Sequence, residues 1–89
     1  MSEKTEGLNK AKVLIVDDQP NNLKVLRQAL EPAGYNILAA ADGQRALDLA
    51  QRAQPDLILL DVTMPGMDGF ETCRRLKEME ATADVPVLF

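Results

Sequence analysis

Four short apolar runs divide this chain: Lys12–Val16 (KVLIV), Tyr35–Ala40 (YNILAA), Leu57–Leu60 (LILL) and Val85–Phe89 (VPVLF). Runs of that length, rich in β-branched residues and leucine, suit buried strands. Each gap between them holds one stretch of helical spacing. Leu23, Leu26, Ala29 and Leu30 follow Pro20, and a proline fits the first turn of a helix because its missing N–H is no loss there. Pro32 makes the last turn irregular and Gly34 stops it. Ala46, Leu47, Ala50 and Ala53 form a second stripe after the turn signal Asp42-Gly43, and Pro55 ends it. Phe70, Cys73 and Leu76 begin a third that runs to about Met79. The order is β-α-β-α-β-α-β. Strands joined through helices pair in parallel, with right-handed crossovers and helices on both faces of one sheet. The expected fold is therefore α/β, a doubly wound parallel sheet. LILL, apolar without alternation, is expected to be covered on both faces.

Eighty-nine residues make one small domain. Lys and Arg number 10 against 14 Asp and Glu, a formal charge of −4, which argues against direct binding of nucleic acid or an anionic membrane. No apolar run approaches the roughly 20 residues of a membrane span. The leader Met1–Lys10 is polar, without the apolar centre of a signal peptide, and is expected to be disordered. Cys73 is the single cysteine, so an internal disulfide and a CxxC metal site are excluded, and a reducing, cytoplasmic setting is the simpler expectation. At its place on the third stripe it reads as a small packed hydrophobe rather than a redox switch. With no histidine, His-based triads and metal sites are excluded within this chain.

Acidic residues close two of the strands. Asp17 and Asp18 follow the first, and Asp61 follows the third. Functional groups of an open parallel sheet collect beyond the C-terminal strand ends. If the first and third strands are neighbours, three carboxylates converge and repel one another. A divalent cation relieves that, and hard oxygen ligands suit Mg²⁺. Any one Asp at such a position reads first as a helix cap, with Asp18 the candidate cap for the helix near Pro20; the set of three favours a site. A carboxylate there can attack phosphorus and form an aspartyl-phosphate. Asp61, alone at the end of the most apolar strand, is the best nucleophile, leaving Asp17 and Asp18 to the metal.

The runs Val13-Leu14-Ile15-Val16-Asp17-Asp18 and Leu59-Leu60-Asp61-Val62-Thr63-Met64-Pro65-Gly66-Met67-Asp68-Gly69 resemble the receiver domain of two-component response regulators. The resemblance covers residues 12 to 89, with Asp61 lying 43 positions after Asp18. It implies a flavodoxin-like (CheY-like) sheet of strand order 2-1-3-4 and a role as phosphoacceptor in a phosphorelay. Asp61 matches the phosphoacceptor. Asp17 and Asp18 match the acidic pair that holds Mg²⁺, Asp18 more directly, and the backbone carbonyl of Thr63 matches a further metal ligand. Met64–Gly69 matches the loop that shapes the site, where Pro65 supplies rigidity and the glycines unusual backbone angles. The donor is then a phosphohistidine on a histidine kinase or phosphotransfer protein, or a small acyl phosphate. Partner docking in the family points to the exposed side of Asn22–Gln28. No activity beyond self-directed phosphorylation and its reversal is expected.

Such domains have five strands and five helices, and this sequence stops inside the fourth strand. The family's Ser/Thr, Lys and fifth-strand aromatic fall beyond Phe89. Residues 11–89 thus read as a receiver lacking its fifth strand and last two helices, with impaired phosphorylation and output. Val85, Val87 and Phe89 become an apolar edge, from which self-association is expected. An interaction fragment that keeps the fold without stable phosphorylation is the alternative. A phosphatase of the haloacid dehalogenase type is disfavoured, because Asp61-Val62-Thr63 lacks that family's second acid and follows the third strand. Nucleotide binding is weaker still without a glycine-rich phosphate loop.

Overall fold

The computed structural model describes residues 10–89; the expected leader falls almost wholly outside them. Strands β1 (Lys12–Val16), β2 (Asn36–Ala40), β3 (Leu57–Leu60) and β4 (Val87–Leu88) alternate with helices α1 (Pro20–Leu30), α2 (Gly43–Ala53) and α3 (Gly69–Glu78). All pairings are parallel and the sheet order is β2-β1-β3-β4. A 3₁₀ turn, Glu31–Ala33, extends α1 and ends on Gly34 at φ 101°, the left-handed geometry that glycine adopts without steric penalty.

The sheet separates two cores. On one face Leu14, Val16, Ile58 and Leu60 pack with Ala46, Leu47 and Ala50 of α2 and Leu76 of α3. On the other, Val13, Ile15 and Ile37 meet Leu23, Leu26 and Leu30 of α1. The alternation of side chains along a strand sends successive residues to opposite cores, which is why Val13–Val16 of β1 are all apolar and buried. β3 is covered on both faces as expected, though unevenly: Ile58 and Leu60 are buried, and Leu57 and Leu59, packed toward α1, are half-buried. One helix covers that face and two cover the other.

The helical stripes are also narrower than their spacing suggests. No residue of α1 is fully buried, Ala29 is exposed, and Val25 is 62 % accessible. Phe70, the second residue of α3, is 61 % exposed; Gly69, Thr72 and Leu76 are the residues α3 buries. Cys73 is half-buried against the α2–α3 core. β4 is two residues long rather than five, because the Val85 N–H is turned back onto the Thr82 carbonyl at 3.1 Å and Pro86 has no N–H to give; Val85 and Val87 pack on the same core while Leu88 and Phe89 stay exposed.

Two aspartates cap helices. Asp42 accepts from the Arg45 N–H at 2.7 Å and Asp68 from the Glu71 N–H at 2.9 Å, each satisfying one of the orphan donors of a first helical turn. Along α3, Glu71 pairs with Arg74 and Arg75, and Arg74 also with Glu78. The Arg74 and Arg75 guanidiniums hold the Glu71 carboxyl down at about 2, against an ordinary 4.5. A depressed carboxyl stabilises the fold above its unfolded pKa and loses that effect as it protonates. The network is therefore complete above pH 4.5 and lost as pH falls from there toward 2. In an acid titration followed by circular dichroism, Glu71→Gln is expected to remove that part of the pH dependence. The effect is small and salt-sensitive, because the pairs are exposed.

Candidate functional site

Parallel pairing in register brings the acidic residues together. Val16 of β1 stands opposite Leu60 of β3, so the next residues, Asp17 and Asp61, leave the sheet side by side. The Asp61 N–H donates to the Val16 carbonyl at 2.9 Å and the Asp17 N–H to the Ala40 carbonyl at 3.1 Å. Both backbones are thereby fixed at the last rung of the sheet. Each of Asp17, Asp18 and Asp61 offers a carboxylate oxygen within 4.8 Å of the other two, and all three residues are half-buried. At that spacing, and at an effective dielectric constant near 20, each pair of full charges repels by about 3 kcal/mol. The arrangement lowers its energy by taking up a cation.

The three carboxylates differ in their partners. Asp17 is held by the start of α1: one oxygen accepts the Gln19 N–H at 2.9 Å and the other the Asn22 side-chain amide at 3.1 Å. Asp17, and not Asp18, is thus the aspartate that steadies this helix, whose N-cap Gln19 makes no side-chain cap of its own. The geometry follows from chain direction, since a carboxylate two residues before an N–H closes an Asx turn. No described residue donates a hydrogen bond to the Asp18 carboxylate. Asp61 accepts one long bond, from the Thr63 N–H at 3.3 Å. Thr63 itself is exposed, and no described residue donates to its carbonyl.

The loop after Asp61 is built by sterics. Gly66 has φ 74°, the left-handed region, in line with the expectation of unusual backbone angles. Gly69 serves differently. A Cβ there would collide with the Asp61 carbonyl oxygen and lie 2.7 Å from the Val62 Cα. The Gly69 N–H in turn donates to the Val62 carbonyl at 3.0 Å. The first residue of α3 thus lies directly against the backbone of Asp61. Met64 is buried and Met67 packs on the same core, so both methionines are packing residues.

Open clefts flank the carboxylates. One of about 270 Å³ includes Asp17 and Asp61, walled by Leu26, Leu59, Leu88 and Phe89. The other, of about 590 Å³, lies over Thr63, Met64, Pro65 and Phe70. Phe70 and Phe89 meet at 5.2 Å between ring centroids. Sequence patterning does not single out Asn22 or the contact made by Gly69. Both depend on how the strand ends meet the helix starts.

The response regulator receiver domain model matches residues 13–89. Response regulator PleD of Caulobacter vibrioides is 47 % identical over 78 residues, which are 88 % of this chain and 17 % of that protein. The DNA-binding dual master transcriptional regulator RpaA of Synechocystis is 47 % identical over 77 residues, 86 % of this chain and 32 % of that protein. The chain therefore spans a minor part of these relatives. Among solved structures, chemotaxis protein CheY4 of Vibrio cholerae superposes with a TM-score of 0.85 at 40 % identity, covering 88 % of this chain and 65 % of that one. A receiver domain of a sensor histidine kinase from Pseudomonas aeruginosa, solved with magnesium coordinated in its active site cleft, gives 0.83 at 33 % identity, covering 88 % of this chain and 64 % of that one.

Proposed function

This chain belongs to the response regulator receiver domain family, and we propose that it is a phosphoacceptor module in which Asp61 takes a phosphoryl group from a phosphohistidine. The observation that carries the reading is the convergence of Asp17, Asp18 and Asp61 within 4.8 Å at two adjacent strand ends. Asp17, Asp18, Asp61 and the Thr63 carbonyl are the oxygen donors that would hold Mg²⁺. That donor set suits a hard cation, and the magnesium in the histidine kinase receiver domain supports the assignment. When bound, Mg²⁺ neutralises charge on the incoming phosphoryl oxygens.

The chain's own residues do the rest. An Asp61 carboxylate oxygen attacks phosphorus, a P–O bond forms, and the bond to the donor's imidazole nitrogen breaks. The departing nitrogen keeps the electron pair. Asp61 can point its carboxylate outward because its backbone is locked by Val16 on one side and packed against Gly69 on the other. The open cleft that includes Asp61, walled by Leu26, Leu59, Leu88 and Phe89, is the approach a donor would take.

Receiver domains interact with histidine kinases or phosphotransfer proteins. We assign this chain such a partner, and a cytoplasmic setting where that partner's phosphohistidine is available. Among the described residues no helix is long and apolar enough to cross a membrane. The net charge of −4 argues against direct contact with nucleic acid. The test is intact-mass spectrometry of the 89-residue chain with Mg²⁺ and a small acyl phosphate. A partial gain of one phosphoryl group, in keeping with impaired phosphorylation and abolished by EDTA, is expected. No gain in a folded sample overturns the reading.

A second reading concerns association. Leu88 on β4 is 54 % exposed and Phe89 just after it 60 %, and β4 pairs only with β3 among the described residues. An open apolar edge favours pairing with another edge, and self-association of this chain is proposed on that ground. Sedimentation velocity is expected to show concentration-dependent dimerisation that Leu88→Lys weakens. A monomer at every concentration overturns it.

A further inference from the structure

We propose that Asn22 is a positioning residue for the metal site, acting through Asp17 to set both the affinity and the selectivity for Mg²⁺. The inference rests on the phosphoacceptor reading and concerns a residue outside its ligand set. The Asn22 side-chain amide lies 3.1 Å from one Asp17 oxygen, and the Gln19 N–H lies 2.9 Å from the other. Asp17 therefore has a donor on each oxygen, both supplied by the entry to α1. Asp18 has neither, and Asp61 has one long bond.

Two donors on opposite oxygens fix the plane of a carboxylate. Each oxygen keeps a lone pair, but the group can no longer rotate freely. Asp17 can then offer one oxygen to a cation, whereas swinging round to offer both sacrifices the Asn22 bond. Mg²⁺ demands near-octahedral, short, single-oxygen ligation. Ca²⁺ accepts two-oxygen carboxylates and irregular shells. Holding Asp17 in one pose thus favours the smaller ion. Hydrogen bonds to a ligating carboxylate change metal affinity by about 10- to 100-fold when removed.

Asn22 suits such a test because it is exposed on α1 and its side chain bonds to Asp17. Its replacement removes the bond without opening a cavity. Asn22→Ala deletes the amide, and Asn22→Leu deletes it while keeping a similar volume. Both leave the Gln19 N–H in place, so the entry to α1 stays closed.

The experiment is isothermal titration calorimetry of the 89-residue chain and both variants with MgCl₂ and, separately, CaCl₂. Thermal melting in EDTA is measured alongside. The Mg²⁺ dissociation constant is expected to rise about 10-fold in both variants. The Ca²⁺ constant is expected to change less, so the preference for Mg²⁺ over Ca²⁺ falls. Melting in EDTA should stay near wild type, as expected for an exposed site away from packed features. A purely structural role for Asn22 predicts the reverse: lower melting in EDTA with unchanged metal preference. That outcome overturns the proposal, as does an unchanged Mg²⁺ constant in both variants. If the wild-type chain itself takes up no Mg²⁺, the phosphoacceptor reading fails with it, a result separable from the variants alone failing to differ.

Discussion

Asp61→Ala is expected to abolish the phosphoryl mass gain outright, while the variant folds at least as well as wild type without metal. Both halves follow from the same geometry. The nucleophilic oxygen is gone, and neither Asp17 nor Asp18 can replace it. Asp17 is held by Gln19 and Asn22, and Asp18 leaves the sheet one residue further along β1. Removing one of three mutually repelling charges relieves a repulsion of about 3 kcal/mol per pair at an effective dielectric constant near 20. In EDTA, then, melting should rise or hold. In Mg²⁺ the order reverses. A cation at 100 times its dissociation constant adds about 2.7 kcal/mol to the wild-type chain, a shift of roughly 10 °C or more for a domain this small. Asp61→Ala, having lost a ligand, should gain far less. Mass spectrometry and thermal melting with and without Mg²⁺ check the pair. Retained phosphorylation in Asp61→Ala would sink the assignment of the nucleophile.

Gly69→Ala is the single-methyl change expected to do most damage. The atoms that a Cβ would meet are the carbonyl oxygen and carbon of Asp61 and the Cα of Val62, all backbone. A flexible side chain could swing aside, but a strand end pinned by the Val16 hydrogen bond cannot. Overpacking of this kind typically removes about 1–3 kcal/mol, and backbone neighbours put it at the upper end. Total stability for a chain of this size is only about 4–13 kcal/mol. The expected result is a melting temperature lower by roughly 10 °C or more, together with weaker Mg²⁺ binding, since the displaced backbone belongs to Asp61. Gly34→Ala is the control. Gly34 has φ 101° but nothing within 4 Å of a built Cβ, so it should lose only the roughly 1–2 kcal/mol of a left-handed alanine and leave metal binding alone. Equal melting of Gly69→Ala and wild type would contradict the steric reading.

Much of this was legible in the chain. The strands β1 and β3 stand where KVLIV and LILL place them, because a run of adjacent apolar residues satisfies two cores at once. Asp42-Gly43, read as a turn, falls where the second helix begins: Asp42 is its cap and Gly43 its first residue. Other features were not. Ala29 fits the helical period yet faces solvent, and Phe70 stays 61 % exposed with the Phe89 ring beside it rather than the core, because period fixes which residues share a face, not what packs against it. The fourth strand is a sheet edge as read, but Val85 and Val87 turn their side chains onto the core and leave Leu88 and Phe89 exposed, because which side chains an edge shows depends on what packs beneath it.

The sequence by itself determined the alternation of strands and helices, the parallel pairing that follows from it, and the acidic ends of two strands. These are local or topological facts, settled by side-chain periodicity and the handedness of the chain. Only the tertiary structure decided that Asp17 rather than Asp18 steadies α1, that Asn22 grips Asp17, and that Gly69 must be bare to let α3 lie against Asp61. Each is a distance of a few ångströms between groups that come together only when β1 and β3 end at the same rung. No pattern along the chain encodes that coincidence; the register of the sheet creates it.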